Sequence, residues 1–367
     1  MNEVIGVPGK AISPARGIPM WALGVVALTI EFALWLWLLV LPVVQHRGVA
    51  AGILCLVLGP LLLRLLIAFA SYVVSRVKGI EIPAELRLGP ISWCRFFMAE
   101  YLQLCVQNLL LIPFRTLFRT AAERGDTQGG GRVLLLQHGY LNNGGVWFPT
   151  TKALSAMGYR VFTSDQPAFA SIDAMGAKLA ARIDEVLAAT GAGRLTLVAH
   201  SMGGLVCRAY LRSFGGDKVE ALVTMGSPHH GTFHAFVANG ENGHQMRPGN
   251  AWLRELSEAV VPVPFTSIYS VHDTVISPQD SSVMPGANNV RISAIGHVSM
   301  PGGARARDVL VRELGRLHAR EASWVSVFVC NFLVPPAPSL GRSIFCRPVT
   351  TGCWSTADCF RAGSNCG

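Results

Sequence analysis

The stretch "LVAHSMGG" (197–204) places a serine between an apolar run and a helix-forming run, where a strand would hand over to a helix. A serine hydroxyl is a weak nucleophile, so it does chemistry only if a general base reaches it and a carboxylate orients that base. A nucleophilic serine on a strand-to-helix elbow is usually announced by G-x-S-x-G, and here Ala199 replaces the first glycine. Alanine meets the steric demand of the turn nearly as well, while Gly203 and Gly204 leave room for the helix to close on the sheet. On this reading Ser201 is presented at the carboxyl end of its strand, beside the positive end of the helix.

Elbows of this kind carry their partners in the chain order serine, acid, histidine. Asp273 follows the apolar run "FTSIYSV" (265–271), and His297 follows "VRISAIG" (290–296), so both fall in order after Ser201. Asp280, deeper in the same loop as Asp273, is the competing acid, and His229, His230, His244 and His272 are the competing bases. A tetrahedral intermediate also needs backbone donors aimed at its oxyanion. The Met202 amide, directly after the serine, is one candidate. The Tyr140 amide in "LLLQHGYLNNGG", at the end of an early strand, is the other.

Taken together, "HGY", "AHSMGG", "GSPHHGT" (226–232), "HDTVISP" and "GHVSM" resemble bacterial lipases and esterases of the α/β-hydrolase fold. The resemblance covers about 131–318, roughly half of the chain. It implies hydrolysis of carboxylic esters through an acyl-serine, with Ser201 as nucleophile, His297 as acid and base, and Asp273 orienting His297. Acyl transfer or thioester cleavage would use the same three residues, and a non-catalytic membrane scaffold on the same fold is the alternative of another kind. Some relatives bind a structural calcium, but no ligand set is matched here. No metal, cofactor or protein partner is expected, and the partners expected are a lipid or other acyl ester and a membrane.

Positioning such a site takes a parallel sheet covered on both faces, and short apolar runs alternate with helical ones as that requires. "RVLLLQ" (132–137), "YRVFTSD" (159–165), "RLTLVA" (194–199) and "VEALVTMG" (219–226) read as strands, followed by the two runs already named. Helices are expected over 171–190, 202–214 and about 305–318. The segment from Gly231 to Pro264 joins two strands at the end of the sheet where the serine emerges; it reads as a cap over an acyl pocket or as an ordinary connection.

Ahead of this domain the chain changes character. Hydrophobic residues make up 51% of the sequence and charged ones 14%, with the apolar excess concentrated before residue 120. Runs of 24 residues (21–44) and 27 residues (49–75) carry one charge each, Glu31 and Arg64. Both exceed the ~20 residues that span a hydrocarbon core. In a hairpin turned at 45–48 the two charges differ in depth by roughly 3 Å at the helical rise, which predicts that they pair, because intramembrane charges seek partners. Lys10, Arg16, Arg76, Lys78 and Arg87 flank the outer ends and only Arg47 lies at the turn, placing both ends in the cytoplasm of a multi-pass protein of the bacterial inner membrane. The net charge of +9 forms no basic stripe interleaved with aromatics, which excludes nucleic acid as the expected partner.

The organisation expected is therefore a tail over 1–19, two transmembrane helices over 20–78, an amphipathic helix and linker over 79–130, the α/β-hydrolase domain over 131–320 and a Cys-rich tail over 321–367. Within the linker, 91–118 is apolar but interrupted by Glu100, Gln103, Gln107 and Asn108; it reads as a helix in the membrane interface or one docked on the next domain. Cys346, Cys353, Cys359 and Cys366, with Cys330 standing slightly earlier, crowd the end of the chain, and the four suggest a disulfide knot if that end meets an oxidising compartment. Their spacing matches no familiar zinc pattern.

Overall fold

A computed structural model describes residues 13–126 and 130–332. The cysteines Cys346, Cys353, Cys359 and Cys366 lie outside the described residues, as does the side chain of Cys330. The chain divides into two compact units, Met1–Ala319 and Arg320–Gly367.

Six parallel strands form the sheet: β1 Val133–Gln137, β2 Arg160–Ser164, β3 Leu195–His200, β4 Val219–Met225, β5 Phe265–Ser270 and β6 Asn288–Ile292, in the spatial order β2-β1-β3-β4-β5-β6. Alternation along each strand sends successive side chains to opposite faces, and each face has its own core. Leu135, Leu195, Leu197 and Ala199 pack beneath the helices Ile172–Thr190 and Met202–Phe214. Leu134, Leu136, Val198 and Val223 pack with Trp147, Leu154, Leu310 and Leu314 on the other face. The central strands are buried on both faces, which is why they read as largely apolar runs. The edge strand β6 is largely exposed and starts two residues earlier than the expected run, at Asn288, ending at Ile292. Ala294, at φ 56°, turns the chain out of the sheet before Gly296.

The helices are, in order, α1 Met20–Trp35, α2 Leu41–Arg47, α3 Val49–Val77, α4 Pro90–Val106, α5 Phe148–Ala156, α6 Ile172–Thr190, α7 Met202–Phe214, α8 Gly240–Gln245, α9 Ala251–Glu258 and α10 Ala304–Phe332. A π-helical stretch, Leu36–Val40, joins α1 to α2, so that Met20–Arg47 runs as one 28-residue rod. It turns at Gly48 into the 29-residue α3. Both rods are long and apolar enough to cross a membrane.

The depth match between Glu31 and Arg64 is realised as a two-pronged pair. Arg64 Nη2 donates to Glu31 Oε2 at 2.7 Å, and Nη1 donates to Glu31 Oε1 and, at 3.1 Å, to the Pro60 carbonyl. A Cβ at Gly59 would lie 2.8 Å from the Trp35 ring, so glycine there lets the two rods approach.

The hairpin returns to the hydrolase-like unit at both ends. Ala15 N donates to the Ala174 carbonyl at 3.0 Å, and Pro19 bridges Pro167 just before α1. Beyond α3, Ile80 N donates to Gln279 Oε1 at 2.9 Å. Helix α4 then folds back along α3: Trp93 and Phe97 meet Tyr72, Phe97 meets Phe69, and Tyr101 donates to the Leu61 carbonyl at 3.2 Å. Its opposite side docks on the sheet domain through Phe96, which meets His272, and Glu100, both buried.

Candidate active site

The residues singled out as nucleophile, base and acid stand in one hydrogen-bonded line. His297 Nε2 is 3.0 Å from Ser201 Oγ, and His297 Nδ1 is 3.0 Å from Asp273 Oδ2. All three are buried. Ser201 sits at φ 57°, ψ −133° between β3 and α7, a backbone region that non-glycine residues avoid and that strained functional turns use. Its neighbours explain the small residues around it. Gly139 lies so close that a Cβ there would be 2.6 Å from Ser201 Cβ, and a Cβ at Gly203 would be 2.6 Å from the His138 carbonyl oxygen. Ala199, fully buried in the sheet between Gln137 and Thr224, fits without distortion of the register.

Asp273 is fixed before it meets the imidazole. Its Oδ1 accepts from the Val275 and Ile276 amides at 2.8 and 2.7 Å, which leaves Oδ2 for His297. Among the described residues, no hydrogen bond joins the competing acid or bases to Ser201 or His297. Asp280 is exposed in a short 3-10 turn. His229 is buried against Thr224 and Arg208, and burial holds its pKa well below the usual imidazole range. His272 Nδ1 accepts from the Ala294 amide, and His230 faces the Val283 carbonyl.

Met202 is the first residue of α7, where an amide has no partner within the helix. Tyr140 follows Gly139 in the turn that presses against Ser201. That turn is pinned by His138, which donates from Nδ1 to the Gly139 carbonyl (2.8 Å) and accepts the Gln166 amide on Nε2 (2.9 Å). Burial lowers the His138 pKa, in keeping with a neutral ring that both donates and accepts. The Tyr140 hydroxyl accepts from the Asn239 amide at 2.9 Å and donates to its carbonyl at 2.8 Å.

Through that contact the 231–264 segment arches across the site. At one end Thr232 and Phe233 bond to the Val275 and Ser277 carbonyls of the Asp273 loop. Further on, Glu241 N donates to the Phe169 carbonyl and Gln245 accepts from the Ile172 amide. Lys78, just past α3, lies over the Phe233 ring at 5.1 Å.

Three polar residues near the site had no role in the sequence. His200 donates from Nε2 to the His297 carbonyl at 3.0 Å, its ring 4.5 Å from that of His297, and burial pushes its pKa far down. Gln279 donates to the Asp273 carbonyl at 3.1 Å. Glu100 of α4 accepts from Val298 N, Ser299 N and Thr274 Oγ1. A sequence signal existed only for Glu100, a carboxylate inside an otherwise apolar segment.

A cavity of about 350 Å³ opens beside this arrangement, lined by Tyr72, Arg76, Trp93, Phe96, His272 and Asp273 among others. It sits where α3 and α4 meet the Asp273 loop.

The matches in sequence cover about a third of the chain and the match in structure about half. A family model described as alpha/beta hydrolase fold matches residues 132–251. A triacylglycerol lipase of Burkholderia plantarii is 34% identical over 128 residues, which is 32% of this chain and 36% of that protein. A triacylglycerol lipase of Pseudarthrobacter phenanthrenivorans is 33% identical over 123 residues, 30% of this chain and 38% of that one. The chain thus spans little more than a third of the length of these lipases. The mature form of the Bacillus licheniformis lipase BlEst2 superposes on 51% of this chain and 93% of its own, with a TM-score of 0.47 and 17% identity. With its parallel sheet, helices on both faces, strained serine turn and matching family model, the chain has the α/β-hydrolase fold, preceded by two long apolar helices.

Proposed function

We propose that the protein is a membrane-anchored serine hydrolase that cleaves apolar carboxylic esters. The observation that carries this reading is the Ser201–His297–Asp273 line, with both hydrogen bonds at 3.0 Å on a strained strand-to-helix turn. In the reaction Ser201 Oγ attacks the ester carbonyl carbon while His297 Nε2 takes the hydroxyl proton. The oxyanion is held by the amides of Met202 and Tyr140. His297 returns the proton to the departing alkoxide, leaving an acyl-serine. Water then attacks that acyl group, giving its proton to His297, and Ser201 is regenerated as the acid leaves. Asp273 holds the imidazole in the tautomer that can accept from serine.

The bilayer supplies the second half of the proposal. Trp37, Leu38 and Ile53 on the two long rods are 68%, 60% and 58% exposed, and soluble monomers rarely show contiguous apolar surface on that scale. Met98, Leu102, Val106, Leu110, Phe114 and Leu117 extend that surface at intervals of three or four residues along α4 and beyond. One face of this segment is docked and the other is apolar and open, which joins the two readings of 91–118 and suits a helix half sunk in the interface. Glu31 and Arg64 then sit paired within the apolar layer. The flanking cations favour the cytoplasmic side for the catalytic unit. The lipases matched in sequence support an acyl-ester substrate.

The test is a series of p-nitrophenyl esters, from acetyl to palmitoyl, offered to the full chain in nanodiscs. Wild type should hydrolyse them and Ser201→Ala should not; equal rates from both would remove the reading. Deleting 238–250 from the arch should shift the preferred acyl length, because that segment carries Asn239, which holds the Tyr140 hydroxyl beside the serine turn. An unchanged length profile would show that the arch is only a connection.

A further inference from the structure

We propose that Glu100, supplied by α4 from outside the sheet, is the residue that positions His297 against Ser201. The inference rests on the hydrolase reading only for the reaction it would serve; the contacts stand on their own. The Glu100 side chain is almost completely buried, at 3% exposed. Its Oε1 accepts from Ser299 N at 2.9 Å, and its Oε2 accepts from Val298 N at 3.0 Å and Thr274 Oγ1 at 3.0 Å. Two of these donors are the residues directly after His297, and the third directly follows Asp273. Thr274 Oγ1 in turn accepts the His297 amide at 3.3 Å. One carboxylate therefore ties together the two loops that carry the acid and the base.

The local sequence is fitted to this contact. A Cβ at Gly296 would overlap the Glu100 carboxyl, so glycine is what lets the loop close over it. Gln107, seven residues further along the same segment, donates to the Val298 carbonyl at 2.8 Å. The amide of Val298 is thus held by Glu100 and its carbonyl by Gln107. A buried carboxylate met only by neutral donors is costly to keep, and burial pushes the Glu100 carboxyl above its ordinary range, against the lowering effect of its hydrogen bonds to Ser299, Val298 and Thr274. Apolar side chains would fill the space more cheaply. What they would not do is fix three donors, in two separate loops, at one point.

The consequence is that the base is set from the membrane side of the molecule. Helix α4 reaches Glu100 from a face packed on α3 through Trp93, Phe97 and Tyr101. A displacement on the order of 1 Å at a reacting group is enough to cost about 10²-fold in rate.

The experiment compares full-length wild type, Glu100→Ala, Glu100→Gln and Cys105→Ala in nanodiscs, with a water-soluble butyryl ester as substrate. Cys105 is a buried residue of the same helix that touches neither loop. Glu100→Ala should lower kcat by about 10²-fold with KM within about twofold, and Glu100→Gln, which keeps an acceptor oxygen, should recover part of the loss. Cys105→Ala should lower Tm without lowering kcat. The low-field proton resonance of the His297–Asp273 hydrogen bond, identified by its loss in Asp273→Asn, should disappear or shift in Glu100→Ala. That signal needs no turnover. If wild type cleaves no ester yet Glu100→Ala moves the resonance, the positioning role stands and the ester reading falls. An unmoved resonance together with an unchanged kcat in either folded Glu100 variant would overturn the proposal, as would an equal kcat loss in Cys105→Ala.

Discussion

Asp273→Asn should lower kcat for ester hydrolysis by roughly 10⁴-fold while leaving the fold intact, because the imidazole is left in the wrong tautomer. The geometry makes the effect specific. Asp273 Oδ1 is committed to the Val275 and Ile276 amides, and Oδ2 faces His297 Nδ1 at 3.0 Å. An asparagine can keep its oxygen on the two amides and present its NH2 to His297. The ring would then accept on Nδ1 and carry its proton on Nε2, where it cannot take one from Ser201. Kinetics on a soluble ester with a matched thermal melt would separate the two effects. A similar loss in Asp280→Asn would point to a different acid; Asp280 is exposed, and it is Asp273 that meets the imidazole, so that variant should stay within about twofold of wild type.

Arg64→Leu should be the most damaging single change in the hairpin, destabilising it by about 3–5 kcal/mol. The Arg64 and Glu31 side chains are 6% and 15% exposed, so removing the guanidinium leaves a carboxylate within apolar surroundings. The double change Glu31→Leu with Arg64→Leu should recover most of that loss, since replacing both charges with apolar side chains removes the desolvation cost as well as the pair. Unfolding of the four proteins in mixed micelles forms a double-mutant cycle. Additive losses would mean that the two residues do not act as a pair.

How much of this was legible in the sequence depended on how local each feature is. The strand-to-helix turn at Ser201 is local: a buried apolar strand, a small residue at 199 and two glycines after Met202 leave few other conformations. Asp273 and His297 followed from chain order and from the strands just ahead of them. The Glu31–Arg64 pair followed because helical rise alone fixes depth in a hairpin. What could not be read were contacts between distant segments. Glu100 meets donors 174 to 199 residues away, and in isolation it looked like an interruption of an apolar helix. His200 looked like a bystander beside the serine, yet it bonds the His297 carbonyl across 97 residues. The exposed edge strand β6 lacked the two-sided burial that fixes a strand's limits, so its expected span ran past Ile292 into the turn before His297. Residues 13–19 gave no sign in the sequence that they brace the hydrolase unit, and the composition of 91–118 left docking on that unit and a place in the membrane interface equally open. Arg115 shows the docking: it is buried between Glu123, Asp165 and Thr163.

The central claim is that Ser201 is a nucleophile activated by His297. The most direct measurement is covalent labelling of the nanodisc-embedded full chain with a fluorophosphonate, followed by mass spectrometry of the modified peptide. The account predicts a single adduct on Ser201, absent in Ser201→Ala and formed far more slowly in His297→Ala. Labelling that persists in Ser201→Ala, or wild-type protein that takes up no probe at all, would contradict it.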